Sequence, residues 1–414
     1  MSVTRRRFLG LLGGAAVAAR HGWAGAAAPA FEKAAGRVVI VGGGFAGATC
    51  ARYLRRYAPK VDVVLVEPNK RYVTCPFSNT VIGGMRDLEE ITWDYQSLAA
   101  GDIQVVHDRA EVVESGSVRL AGGKTLKADA VVAAPGIDLQ WDAVEGYSPE
   151  ASKAIPHAWR AGEQTRLLRR QLQAMDNGGT VLISVPGNPY RCPPGPYERA
   201  ALIAHYLKEN KPRSKILILD AKDQFPKQKL FQEGWEALYP GMIEWVPGSD
   251  GGQVTAVDPK TRKVETGFGF PSHTGAVVNL IPPQKAGTVA RRSGLTDESG
   301  WCPVDAAFES TQRKGIYVLG DSCIAGDMPK SAHSANNQAK ACARAIAARL
   351  AGDEPPAPSF INTCYSLLAP EYGISVAGVY RVHNGAISAV PEAGGVSPLD
   401  APSEFRRKEA KAAG

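Results

Sequence analysis

Seven cysteines stand in the 414-residue chain, and their surroundings decide which of them can do chemistry. There is no C-x-x-C-H pair, so the chain has no site of its own for attaching a c-type haem. There is also no H-E-x-x-H and no Cys/His cluster of zinc spacing. Cys50 and Cys342 fall inside Ala-rich helical stretches and read as packing residues, and Cys302 and Cys323 read as buried thiols. Cys192 and Cys364 are different. Cys192 sits in a proline-rich turn between a buried strand and a helix, and Cys364 sits in Asn362-Thr363-Cys364-Tyr365, after a long helix and a linker. Such a pair can be a redox-active disulfide or a purely structural one.

The second chemical signal is Arg37–Gly47, RVVIVGGGFAG. An apolar run, Val38–Val41, predicts a buried strand. Gly42, Gly44 and Gly47 give G-x-G-x-x-G, and Phe45 and Ala46 lead into a helix that runs to Tyr57. The first glycine permits the tight turn, the second lets the backbone approach a pyrophosphate, and the third lets the helix lie close on the sheet. A second strand, Val61–Val66, ends in Glu67, whose carboxylate is placed to accept hydrogen bonds from an adenosine ribose. Cys75 follows a few residues later on a loop expected to run along the dinucleotide; by itself it reads equally as a free loop thiol. Val105–Val113 predicts a strand, Val118–Leu126 a hairpin, and Ala128–Gly136 a buried strand ending in Pro-Gly.

A second α/β unit follows, with a helix at Gln164–Met175, a strand at Gly179–Val185, a helix at Tyr197–Glu209 and a strand at Ile216–Asp220. A nicotinamide site there would need another glycine turn. The chain reads instead Pro186-Gly187-Asn188-Pro189-Tyr190-Arg191-Cys192-Pro193-Pro194-Gly195-Pro196. The prolines remove backbone donors, and Tyr190 and Arg191 fill the space phosphates would need, so no nicotinamide cofactor is expected. Ile316–Asp321 reads as a strand ending in Gly320-Asp321, which resembles the Gly-Asp motif of two-domain flavoproteins; that resemblance implies that the positive end of a long helix at Ser331–Leu350 faces the flavin ring. The expected fold is α/β, with two Rossmann-like domains and a small α+β C-terminal domain. The expected boundaries are 36–145 with 285–350 for the first domain, 146–284 for the second and 351–414 for the third. The tail Pro398–Gly414 reads as charged, mobile and without an apolar face.

Composition sets the outer limits. Hydrophobic residues make up 44% and charged residues 21%, which suits a globular protein with a sizeable core. The formal charge of +7 falls to +3 without Arg5, Arg6, Arg7 and Arg20, too little to argue for nucleic acid. Thr4-Arg5-Arg6-Arg7-Phe8-Leu9 resembles a twin-arginine export motif, followed by a short apolar run and a cleavage site at Ala24-Gly25-Ala26. Residues 1–26 are thus expected to be a signal peptide and the mature chain to be periplasmic, without an integral membrane segment.

Val185–Glu198, Tyr72-Val73-Thr74-Cys75-Pro76 and Asn362-Thr363-Cys364-Tyr365 together resemble the flavoprotein subunit of flavocytochrome c sulfide dehydrogenase, and the resemblance spans nearly the whole chain after the leader. It implies FAD bound covalently through an 8α-S-cysteinyl link at Cys75. The glycines Gly42, Gly44, Gly47, Gly136 and Gly320, with Phe45, Ala46, Glu67 and Asp321, would hold the cofactor, Asp321 bonding the ribityl chain. It also implies a redox disulfide Cys192–Cys364 beside the flavin and Glu198 as an acid/base, though Glu198 equally fits a helix N-terminal carboxylate. The implied substrate is hydrogen sulfide, the product zero-valent sulfur or polysulfide, and the partner a c-type cytochrome. Two other readings stand beside it: a quinone- or NADH-dependent reductase, and a non-catalytic accessory flavoprotein of a sulfur-oxidising system.

Overall fold

The computed structural model describes residues 31–413. The expected signal peptide and its cleavage site lie outside the described residues. Along the chain run β1 (Gly36–Val41), α1 (Phe45–Tyr57), β2 (Val61–Val66), α2 (Ser78–Ile82), β3 (Ile103–Val106), β4 (Ala130–Ala133), α3 (Glu163–Ala174), β5 (Thr180–Val185), α4 (Gly195–Asn210) and β6 (Lys215–Asp220). Then come α5 (Gln228–Leu238), β7 (Ile243–Val246), β8 (Val277–Leu280), β9 (Ile316–Val318), α6 (Ala332–Ala351), β10 (Ser359–Ala369), β11 (Tyr372–His383), β12 (Ala386–Ala389) and α7 (Ser403–Ala413).

Near-continuous apolar runs such as VVIV and VVLV suit strands covered on both faces, and they form parallel sheets. The first sheet has the order β9-β4-β1-β2-β3, all parallel. The second has the order β7-β6-β5-β8, also all parallel. β9 comes from far down the chain, so the first sheet closes only after the second is complete. On the first sheet α1 lies against α6, a contact made close by small buried residues: Ala46, Gly47 and Ala51 from α1, and Ala335, Ala339 and Ala343 from α6. Cys50 and Cys342 meet inside this interface, both fully buried, as the packing thiols their setting suggested. Cys302 and Cys323 lie in register on two short parallel strands and are likewise buried. The third sheet is antiparallel, β10-β11-β12, and it packs against α4 and α7.

Two expectations need correction. Val105–Val113 is two elements: β3 in the first sheet, and Ala110–Glu114 in a separate antiparallel sheet with Ser117–Leu120 and Thr125–Lys127. The chain turns at His107–Arg109, where the Asp108 carboxylate accepts from the Arg109 amide at 2.7 Å and His107 Nδ1 meets the Glu67 carbonyl at 3.1 Å. The tail, in turn, carries a docked helix. In α7, Arg406, Glu409 and Ala410 are buried on the third sheet. Arg406 Nη2 donates to the carbonyls of Pro398 and Leu399, and Glu409 accepts from Ser375 and Ser397. Its buried face is largely polar and held by these bonds, which a hydropathy pattern does not reveal.

Candidate active site

The glycine turn has the shape its sequence called for. Gly42 has φ +102°, and a Cβ there would meet the Ala134 carbonyl at 2.3 Å. A Cβ on Gly47 would come within 1.8 Å of the Gly42 carbonyl, so only glycine lets α1 sit this close. Gly44 differs: an added Cβ would meet nothing nearer than the Tyr72 hydroxyl at 3.7 Å, which leaves that side of the turn open to a ligand. Phe45 packs its ring edge-on against Tyr72. Glu67 is buried at the end of β2, takes a hydrogen bond from the Gly43 amide at 2.8 Å, and is fixed by the amide and side chain of Asn69. Gly136, at φ +65°, turns the chain after β4, and its carbonyl accepts from the Gly287 amide. Gly320 packs over the start of α1, where its Cβ would meet that of Ala46 at 3.0 Å, and its amide donates to Gln338.

A group of buried polar atoms lies at the junction of the two parallel sheets. Asp321 Oδ1, Gln284 Nε2 and Trp159 Nε1 have no hydrogen-bond partner among the described residues. All three residues meet Arg191, whose guanidinium reaches toward Asp321 at 3.9 Å and bonds the Trp159 backbone carbonyl, while its amide donates to Gln284 Oε1. Leaving such groups unbonded is costly, so they mark places where a polar ligand is received. Together with the open side of Gly44, they fit a flavin dinucleotide laid from the glycine turn to Asp321. Cys75 borders the same region: its Sγ lies 3.7 Å from the Trp159 carbonyl, the same carbonyl that Arg191 bonds.

Cys192 and Cys364 come from different sheets and meet at one helix end. Cys192 has a left-handed backbone, φ +56°, and its amide donates to the Lys330 carbonyl at 2.8 Å, just before the N-cap of α6. On the other side, Ser331 and Ser334 of that N-terminus donate to Asn362 Oδ1, and the Thr363 amide donates to His333 Nδ1. Cys364 is therefore held beside the same turn, and its charge is the strongest acting on Cys192. The disulfide expected between them is not formed in this structure; both are free, partly buried thiols. Burial pushes both thiols up from their ordinary range.

Glu198, on the first turn of α4, completes the group. Its Oε1 accepts from the Leu367 amide on β10, and its Oε2 from Asn79 Nδ2, both at 2.8 Å. Desolvation raises its carboxyl above the ordinary carboxylate range, against the pull of those two bonds. Asn79 is oriented in turn by Arg199, 1% exposed, which also bonds Asn279 Oδ1 at 2.7 Å and the Ala158 carbonyl at 2.7 Å. Asn79 stands on α2, four residues past Cys75, so one carboxylate links the Cys75 segment, the Cys192 helix and the Cys364 strand.

The sequence reading missed Lys227, Arg199, Asn79 and Gln284. Lys227 is 7% exposed, and its Nζ donates to the Cys364 carbonyl at 3.1 Å and to Ser366 Oγ at 2.7 Å. It stands in an unremarkable polar run, Asp223–Gln228, and only the fold brings it to the sulfur pair.

The proline turn of the second sheet is filled by protein. Tyr190 is 1% exposed and donates to the Pro193 carbonyl. Asp220 ends β6 as Glu67 ends β2, but its Oδ2 accepts from the Tyr197 hydroxyl and Trp245 Nε1, and its Oδ1 from Lys222. Among the described residues, no group of His, Cys, Asp and Glu could hold a metal ion, and no helix is long and apolar enough to cross a membrane.

The chain resembles known proteins along most of its length. Residues 165–282 match the family model of the central part of the sulfide dehydrogenase [flavocytochrome c] flavoprotein chain, and residues 356–414 that of the flavocytochrome c sulphide dehydrogenase flavin-binding region. Residues 36–173 match the pyridine nucleotide-disulphide oxidoreductase family. A sulfide dehydrogenase [flavocytochrome c] flavoprotein chain of Chlorobaculum thiosulfatiphilum is 62% identical over 45 residues, 11% of this chain and 94% of that sequence. The mitochondrial sulfide:quinone oxidoreductase of Mus musculus is 23% identical over 308 residues, 69% of this chain; the match spans 65% of the mouse protein's length. The crystal structure of the sulfide:quinone oxidoreductase of Aquifex aeolicus has the same fold, with a TM-score of 0.72 at 18% identity, covering 91% of this chain and 89% of that one.

Proposed function

The chain belongs to the family of flavocytochrome c sulfide dehydrogenase flavoprotein chains, and from that premise we propose that it oxidises hydrogen sulfide at Cys192 and Cys364 and passes the electrons to a c-type cytochrome. The observation that carries this reading is the meeting of the two cysteines at the N-terminus of α6, with Glu198 bonded to the strand of one and standing on the helix that follows the other.

In the oxidised form of the pair, hydrosulfide attacks one sulfur of a Cys192–Cys364 disulfide. The sulfur–sulfur bond between the cysteines breaks, a new one forms to the incoming sulfur, and the displaced cysteine leaves as a thiolate. Glu198, held half-buried by Asn79 and the Leu367 amide, takes the proton of the bound hydrosulfide. Closing the disulfide again with loss of the outer sulfur as zero-valent sulfur releases two electrons, so the cycle takes HS⁻ to S⁰, H⁺ and two electrons. FAD, when bound, supplies a two-electron acceptor able to hand electrons on singly. Gly42, Gly44 and Gly47 would hold its pyrophosphate, Glu67 its ribose, and Asp321 its ribityl chain. A thioether to Cys75 would keep the cofactor from leaving in the periplasm, where the leader at residues 1–26 would send the chain by the twin-arginine route. No nicotinamide docks on the second sheet, since Tyr190 fills the turn and Asp220 is bonded within the protein.

The test is anaerobic, sulfide-dependent reduction of an added c-type cytochrome by the flavin-loaded protein. Reduction is expected, and Cys192→Ser is expected to lower it by about 10³-fold or more. Absence of reduction with flavin in place, or turnover by Cys192→Ser near the parent rate, contradicts the proposal.

A further inference from the structure

Lys227 is a buried ammonium without an ordinary counter-ion. It caps α5 from the left-handed region, φ +63°, and only 7% of it reaches solvent. Its ammonium donates to neutral acceptors on β10, the Cys364 carbonyl and the Ser366 hydroxyl, on either side of Tyr365. Among the described residues, no carboxylate lies within 4 Å of it. A buried cation in this position is costly unless an anion forms nearby.

The acidic groups that act on it are, in order, Cys364, Glu198 and Cys192, with Glu409 of α7 after them. From the side of Cys364, the charged neighbours are Lys227 and Glu198. Cys192 is served first by a different cation, Arg191. Lys227 thus acts on both sulfurs, but it is the first cation only for Cys364; for Cys192 it comes after Arg191.

We propose that Lys227 is the positioning cation of the sulfur pair: it balances the sulfur anion formed on Cys364 and clamps that segment of β10 opposite Cys192. The proposal rests on the reading of Cys192 and Cys364 as a redox pair, but it concerns a charge that can be measured without turnover. Lys227 lowers the pKa of the Cys364 thiol, and its loss moves the thiol's titration to higher pH.

The experiment is site-resolved alkylation of the reduced, flavin-loaded protein by iodoacetamide across pH, read by mass spectrometry as the titration midpoint of each thiol. In the parent protein, Cys364 is expected to titrate at lower pH than Cys192; the reverse order overturns the proposal and needs no variant. In Lys227→Gln, whose amide can still donate to the Cys364 carbonyl and Ser366, the Cys364 midpoint is expected to rise by about one unit or more. Lys227→Arg, which keeps the charge, is expected to restore it. An unmoved midpoint in Lys227→Gln overturns the proposal, as does a rise that Lys227→Arg does not reverse. A shifted midpoint in a protein that fails to oxidise sulfide would sink the functional reading and leave the role of Lys227 standing.

Discussion

At the scale of single residues, the site depends on polar groups kept out of water. Glu198 shows the balance most clearly: desolvation outweighs two hydrogen bonds and holds its carboxyl above the ordinary range. Relative to the unfolded chain, folding therefore favours the protonated form. The stability this gives is complete below the ordinary carboxylate pKa and is lost as pH rises through the raised value. If Glu198 accepts the proton of hydrosulfide, activity must show an acid limb at that raised value. Glu198→Gln is expected to lower sulfide turnover about 10²-fold and to abolish the acid limb of the pH–rate profile. A profile that keeps its acid limb in the variant would assign the limb to another group. These features were unequally legible in the sequence. The glycines and Glu67 declare themselves by spacing, and Cys192 and Cys364 by their settings and the family resemblance. Asn79, Arg199 and Lys227 do not, because each owes its role to a partner far along the chain, as Asn79 does to Glu198, 119 residues away.

At the scale of elements, the N-terminus of α6 organises the site. Lys330 holds Cys192, Ser331 and Ser334 hold Asn362, and His333 receives the Thr363 amide. The strands and helices of both parallel sheets were readable because their apolar runs and turn residues agree on the same elements. α7 was not readable: its buried face is made of Arg406 and Glu409, whose partners, among them Ser375 and Ser397, lie on other segments of the C-terminal region. Arg406→Ala removes the bonds to the Pro398 and Leu399 carbonyls and the packing over Tyr372. It is expected to destabilise the chain by about 2–3 kcal/mol in denaturant unfolding. A change below about 0.5 kcal/mol would show that α7 is not docked as described.

At the scale of the whole molecule, one architecture serves two dissimilar purposes. The first parallel sheet keeps an open glycine turn with Glu67 at its rim. The second keeps the same strand order, but its turn is packed with Tyr190, its carboxylate Asp220 is bonded internally, and it presents Cys192 instead. The third sheet brings Cys364 from the far end of the chain to meet it. The sulfur pair thus assembles only when all three sheets are in place.

The central claim is that this pair takes sulfur from hydrosulfide while a bound flavin takes the electrons. The most direct measurement is an anaerobic titration of the oxidised, flavin-loaded protein with one equivalent of sulfide, followed by flavin absorbance and by mass spectrometry of the Cys192 and Cys364 peptides after acid trapping. The account predicts a gain of one sulfur atom on one of these two cysteines at early times, lost again as the flavin bleaches. Bleaching with no added sulfur on either cysteine at early times, or no bleaching at all, would contradict it.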